Sequence, residues 1–209
     1  MKKIESSLLN MVMVLVAVAL IMGGVLAWVN HVTEGPIKAQ ADKALAEGIK
    51  TVMGGEKLTV VANDTIHKTV DGKEATFIVH KTQNSRKQDL GVAIESTTMG
   101  FGGELKVLVG FDTDGNITGY TILQHAETPG LGAKADKWFQ EGEKGDIIGK
   151  SPSQKPLVVK KDGGDVDAIT ASTITTRAFL KAVNQAYDAY TQKETDAQTG
   201  ASQQVKKEG

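Results

Sequence analysis

The chain opens on a run without a single charge, Leu8 to Val29, and no later stretch of its 209 residues repeats that pattern. A helix needs roughly 20 consecutive apolar residues to cross the hydrocarbon of a bilayer, so the run predicts one transmembrane span. A cleaved secretory signal is the alternative, but its apolar stretch is only about 7 to 15 residues long. Trp28 stands at the far end, where interfacial aromatics anchor a span. After Gly35-Pro36, Ala41, Ala44, Leu45 and Gly48 recur at helical spacing, which predicts a membrane-proximal helix over 37–49 closed by Gly54-Gly55. Alternation then takes over. Leu58 to Ala62, Thr76 to Lys81 and Val92 to Ser96 read as strands. Leu105 to Phe111 and Ile117 to Gln124 read as a hairpin around Asp112-Thr113-Asp114-Gly115-Asn116, residues that tolerate a turn's backbone angles. Ala133 to Gln140 reads as a short helix burying Trp138 or Phe139, and Leu157 to Val159 and Val166 to Thr170 as two further strands. Thr173 to Tyr190 reads as a helix with one apolar stripe of Phe179, Ala182, Val183, Ala186 and Tyr190. From Thr191 onward there is almost nothing to bury, which predicts a disordered polar tail.

These elements describe an α+β chain: one N-terminal transmembrane helix, then a domain with an antiparallel sheet and flanking helices. The boundaries fall at 1–30 for a cytoplasmic start and anchor, 31–56 for the membrane-proximal helix, 57–190 for the domain and 191–209 for the tail. Lys2 and Lys3 precede the span, so the rule that positive charge stays inside places the N-terminus in the cytoplasm and the domain outside. Lys38 and Lys43, shortly beyond the span, weaken that bias.

Charge and composition remove several kinds of chemistry. A net charge of -1 supplies no broad field to gather phosphate backbones, which argues against a nucleic-acid partner. The chain has no cysteine, so disulfides, thiolate zinc sites, iron–sulfur ligation and cysteine nucleophiles are excluded within it. Redox work here requires a borrowed cofactor. Asp112, Asp114 and Asn116 imitate the start of a calcium loop, but the sixth and twelfth positions fall on Ile117 and Leu123 rather than glycine and glutamate, which favours a plain turn. Gly100-Phe101-Gly102-Gly103 runs into a strand, whereas a nucleotide-binding glycine loop opens a helix; close approach of its backbone to a ligand or neighbouring chain is what the glycines license. His31, His67, His80 and His125 share no ligand spacing, so metal binding is not expected. No nucleophile, base and oxyanion set converges by motif either, which argues against a stand-alone enzyme.

Two segments carry more specific chemistry. In Thr170-Ala171-Ser172-Thr173-Ile174-Thr175-Thr176-Arg177, hydroxyls crowd a strand-to-helix junction. Simple N-capping accounts for them; the same free amides, with Arg177 one turn inside, also suit a phosphate. His125-Ala126-Glu127-Thr128-Pro129-Gly130-Leu131-Gly132 reads by itself as a rigid turn.

Taken together, the two segments resemble the FMN-binding domain family. Its flavinylation motif, commonly Ser or Thr, Gly, Ala, Thr, stands here as Thr170-Ala171-Ser172-Thr173. The resemblance implies an FMN phosphoester on Thr173, made from FAD by a separate magnesium-dependent flavin transferase. Ala171 replaces the motif's glycine, which predicts that the backbone there needs no positive φ. Ser172 replaces its alanine and adds a second hydroxyl. The Glu-Thr-Pro-Gly-Leu-Gly loop is similar to one in the G-type subunits of Rnf electron-transport complexes and the C-type subunits of sodium-pumping NADH:quinone oxidoreductases. There it lies near the flavin, so Glu127, Thr128, Gly130, Leu131 and Gly132 join Thr170, Ala171, Ser172, Ile174 and Arg177 as expected cofactor neighbours. Chain length favours the Rnf type. The resemblance therefore implies an electron-transfer subunit of an ion-translocating ferredoxin:NAD oxidoreductase in the bacterial inner membrane, with its domain outside and sister subunits as partners. The sodium-pump homologue and a flavin-free, membrane-anchored binding module are the alternatives.

Overall fold

The structure, a computed structural model, describes residues 8–55, 58–70, 72–153 and 155–205, and only the backbone of Lys73 and of 192–205. Lys2 and Lys3, on which the expected orientation rests, and the end of the tail at 206–209 lie outside the described residues. The chain divides into two compact units, 1–44 and 45–209.

The first unit is helical. Helix α1 spans Leu8–Val52 and is long and apolar enough over its N-terminal part to cross a membrane. Its apolar side chains from Leu8 to Val29 are exposed on every side, as a helix surrounded by hydrocarbon would present them. The break expected at Gly35-Pro36 does not occur, and the anchor and the membrane-proximal helix are one element. Proline removes one hydrogen bond from a helix interior, yet its fixed φ is itself helical. With Pro36 exposed, water can reach the carbonyl that loses its donor.

In the second unit, five strands form an antiparallel meander in sequential order: β1 Leu58–Val70, β2 Lys73–Asn84, β3 Asp89–Met99, β4 Glu104–Phe111 and β5 Ile117–Gln124. The hairpin expected from the alternation is β4–β5, and Asp112 organises its turn. One Asp112 carboxylate oxygen accepts from the amides of Asp114 and Asn116, and the other from the Asn116 side chain. That carboxylate is spent on the turn. The last turns of α1 close one face of the sheet, where Ile49, Val52 and Met53 cluster with Ala93 and Leu108. The Thr118 hydroxyl donates to the Val52 carbonyl at 2.6 Å and ties the helix end to β5.

Helix α3, Thr173–Val205, covers the opposite face. The predicted stripe is the buried one: Phe179, Ala182, Val183, Ala186 and Tyr190 all lie in the core. Phe179 stacks on Phe139 at 4.2 Å between ring centres and meets Tyr120 edge-on at 4.8 Å. Burial pushes the Tyr120 phenol up; it donates to the Ala135 carbonyl at 2.7 Å and accepts from the Phe139 amide. The expected helix at 133–140 is a 3-10 turn, Gly132–Lys134, running into the single-turn α2, Ala135–Trp138, with Phe139 as the fully buried ring.

Two expectations are corrected. The segments at 157–159 and 166–170 are not strands of the sheet; one parallel bridge, Val159 to Val166, joins them, with a 3-10 turn at Lys160–Asp162 between. Leu157 is held to α3 instead, its amide donating to the Asn184 side-chain oxygen and its carbonyl accepting from the Asn184 NH2, and Val159, Val166 and Ile169 lie in the same core as the α3 stripe. The polar segment after Thr191 continues α3 to Val205 instead of losing structure. Four glutamines and two alanines between 192 and 205 favour helix.

Candidate functional site

Around the start of α3, three segments distant in sequence meet on one carboxylate. Glu127, after β5, is only 6% exposed. Its Oε1 accepts from the amides of Phe101 at 2.7 Å and Gly102 at 3.2 Å in the β3–β4 loop. Its Oε2 accepts from the Thr175 hydroxyl at 2.7 Å in the first turn of α3. The sequence motif places Glu127 among the groups facing a cofactor; the structure turns it inward, with both oxygens engaged, so that it holds the site together from beneath.

The packing explains two of the glycines. A Cβ on Gly102 would come 2.0 Å from the Ala126 carbonyl oxygen, and one on Gly132 would come 2.4 Å from Glu127 Oε2 and 2.8 Å from Thr175 Oγ1. Any side chain at either position forces the segments apart. Around Glu127 the loop 128–133 folds on Thr128, whose carbonyl accepts from the amides of Leu131 and Ala133. Its neighbour His125 accepts at Nδ1 from the Glu127 amide at 3.2 Å.

Each pinned segment presents an apolar side chain to the outside. Phe101 is 68% exposed, Leu131 41% and Ile174 54%. Phe101 carries one amide that Glu127 binds, Leu131 precedes Gly132, and Ile174 precedes Thr175. Phe101, Leu131 and Ile174 are thus three exposed apolar residues, each at or next to a residue that meets the Glu127 carboxylate, and Ile174 follows Thr173 in the chain. Leu131 and Ile174 are expected here from the sequence. Phe101 is not, because the glycine cluster around it gives no local sign of its partner; the aromatic within a glycine loop is the available signal.

At the junction itself, Ser172 caps α3 through its carbonyl, which accepts from the Thr176 amide and hydroxyl, both at 3.0 Å. The Thr176 hydroxyl also accepts from the Ile169 amide at 3.1 Å. Thr175 and Thr176 are buried and committed, Ser172 is 8% exposed, Thr173 is half-buried and Thr170 is exposed. Ala171 has φ +60°, against the expectation drawn from its identity. The chain must reverse between the buried Ile169 and the capping Ser172, and the motif's glycine position supplies that left-handed residue. An L-residue there costs roughly 1–2 kcal/mol. Ala171→Gly is therefore expected to stabilise the domain by about 1 kcal/mol after allowance for glycine's greater freedom in the unfolded chain. Thermal melting would show this as a rise of roughly 2–4 °C.

Arg177 is not brought to the Thr173 hydroxyl. Its guanidinium forms a two-pronged pair with Asp162 at 2.7 and 2.8 Å, which holds the Asp162 carboxyl below its usual range and raises the guanidinium. The anion-binding potential of the junction thus rests on the helix start rather than on arginine.

Comparison with known proteins falls on these same segments. Residues 100–188, from the glycine loop into the first half of α3, match the FMN-binding domain family. The G-type subunit of the ion-translocating oxidoreductase complex of Shewanella baltica is 35% identical over 177 residues, covering 80% of this chain and 82% of that protein. Its counterpart in Yersinia pestis is 34% identical, covering 78% and 80%. Among solved structures, the C-type subunit of the Na+-translocating NADH-quinone reductase of Parabacteroides distasonis aligns with a TM-score of 0.41 and 23% identity, over 73% of this chain and 81% of that one.

Proposed function

The chain belongs to the family of G-type subunits of ion-translocating oxidoreductase complexes, and from that membership we propose that it relays electrons through an FMN esterified to Thr173. The FMN-binding domain spans the whole site just described. FMN supplies the electron-carrying chemistry when bound, and the protein supplies placement.

The observation that carries the attachment is the ordering of exposure along one short junction. Of the hydroxyls in the helix's first turns, those of Thr175 and Thr176 are buried and hydrogen-bonded, and Ser172 is buried as the cap. Thr173 alone is both in the helix's first turn and half open to a reagent. In the attachment its oxygen bonds to the flavin-side phosphorus of FAD, the pyrophosphate bond breaks, AMP leaves and the hydroxyl proton is lost. A phosphodiester placed there meets the amides and the positive end of α3. Phe101, Leu131 and Ile174 offer apolar area for the flavin's ring system, and such rings stack on apolar and aromatic side chains. Glu127 and Thr175 set the spacing of those three groups. Covalent attachment suits a carrier outside the cytoplasm, where a dissociated flavin would be lost.

The partners on this reading are the other subunits of a membrane complex that couples ferredoxin and NAD to ion movement, together with a flavin transferase for maturation. Helix α1 anchors the chain in the cytoplasmic membrane of a bacterium, and Gly23-Gly24, whose Cβ positions meet nothing in this chain, allow close approach of a sister helix. The test is intact mass and peptide mapping of the full chain coexpressed with a flavin transferase. One FMN on the peptide holding Thr173 is the expected result. Unmodified, colourless protein, under conditions that flavinylate a relative of the same family, would overturn the reading in favour of a flavin-free binding module.

A further inference from the structure

Ser172 holds the cap position of α3, because its carbonyl accepts the first bond of the helix, from the Thr176 amide. From that position a serine hydroxyl ordinarily accepts from the second or third amide of the helix. Here it does not. Among the described residues, no group accepts from the amides of Thr173, Ile174 or Thr175, and the Ser172 hydroxyl bonds nothing in the chain. Yet Ser172 is only 8% exposed, and a covered hydroxyl without a partner is costly. Alanine would cap the helix equally well, since the cap is a carbonyl. The fold therefore gives this hydroxyl no task.

The charged side chains bonded at this helix start do not serve an anion either. Arg177 is paired with Asp162, and Glu127, which accepts from Thr175, is itself negative. A phosphodiester on Thr173 would carry a negative charge on oxygens that only accept. Holding it falls to neutral donors. Those at the junction are the three amides at the positive end of α3 and the hydroxyl of the cap residue, which can donate. The hydroxyls of Thr175 and Thr176 are already committed to Glu127 and to the Ser172 carbonyl.

Resting on the reading that FMN is esterified to Thr173, we propose that the Ser172 hydroxyl is the side-chain donor to that phosphodiester, acting together with the first-turn amides. Ser172 is then a positioning residue. It takes no part in forming the ester; its bond to a non-bridging oxygen restricts rotation about the Thr173 side chain and the phosphate, and so limits where the ring system can lie. A hydrogen bond to a charged oxygen is about twice as strong as a neutral one. The alanine of the flavinylation motif offers no such donor, so this chain holds its flavin by one bond more than the motif provides. Loading depends on Thr173, whereas fixing the loaded group depends on Ser172.

The test compares the parent chain with Ser172→Ala, each made with and without a flavin transferase and studied at full length in detergent micelles. Peptide mapping comes first: a parent without FMN on Thr173 removes that reading and this inference with it. Without flavin, the two chains should melt within about 2 °C of each other, because the hydroxyl bonds nothing in the chain. On flavinylation the melting temperature of Ser172→Ala should gain less than that of the parent, by roughly 3–6 °C, the effect of one bond to a charged group. Phosphorus-31 NMR reads the group directly. The parent's resonance should stand apart from its position in the urea-unfolded chain, Ser172→Ala should move it toward that position, and Ser172→Thr, which keeps the hydroxyl, should restore it. With FMN present on Thr173, equal melting gains in parent and Ser172→Ala, or a parent resonance that coincides with the unfolded chain's, would overturn the role of Ser172 and leave the attachment standing.

Discussion

Thr173→Ala is expected to yield a folded, membrane-integrated protein with no covalent FMN, against one FMN per chain for the parent. The fold should survive because Thr173 is half-buried at the start of a helix whose cap is Ser172 and whose inward bonds come from Thr175 and Thr176. A substitution at such a position usually changes stability by less than about 0.5 kcal/mol. Ser172→Ala supplies the contrast. Its cap is a backbone carbonyl, which alanine retains, and its side chain is almost wholly covered, so flavin loading should persist. Intact mass, in-gel flavin fluorescence and a melting curve separate the outcomes. A Thr173→Ala chain that still carries stoichiometric FMN would exclude the assignment. Loss of flavin from Ser172→Ala, with retention in Thr173→Ala, would move the bond to the serine.

The parts of the fold legible in the sequence are those whose signal is local. The alternation on either side of Asp112 to Asn116 marks β4 and β5, and the stripe from Phe179 to Tyr190 marks the face that α3 buries. Each is written into neighbouring residues by the geometry of its own element. Where local signal and context compete, context prevails. Pro36 signals a break, but a single missing donor on an exposed helix does not produce one. Ala171 signals an ordinary backbone, but the turn between Ile169 and Ser172 requires φ +60° whatever residue occupies it. The site divides in the same way. Thr173 and the loop at 127–132 are visible as motifs, whereas the inward role of Glu127 and the place of Phe101 depend on contacts spanning 26 and 48 residues, for which a single sequence has no local mark. Arg177 stands one helical turn from Thr173 in sequence, yet Asp162 claims it from a segment that motif spacing does not include.

The inward role of Glu127 has the larger structural consequence. Glu127→Ala leaves two amides and a buried hydroxyl without their acceptor, and leaving such groups unpaired costs about 1–3 kcal/mol apiece when buried. Phe101 and Gly102 are partly open to water, which can take up part of the loss, so a total on the order of 3 kcal/mol is expected. For a domain of this size that corresponds to a fall in melting temperature of roughly 6–12 °C. Glu127→Gln separates charge from connectivity. Its oxygen can still accept from Phe101 and Gly102, and its NH2 can donate to Thr175, whose hydroxyl can reverse from donor to acceptor. Every bond then has a partner, and the expected loss falls to about 1 kcal/mol, the difference between a charged and a neutral acceptor. Flavin loading should follow the same order, nearly intact in the glutamine variant and reduced in the alanine variant, because Phe101, Leu131 and Ile174 stand on three segments held at one point. If alanine and glutamine were equally destabilising, the negative charge itself, rather than the hydrogen bonds it organises, would be what the site requires.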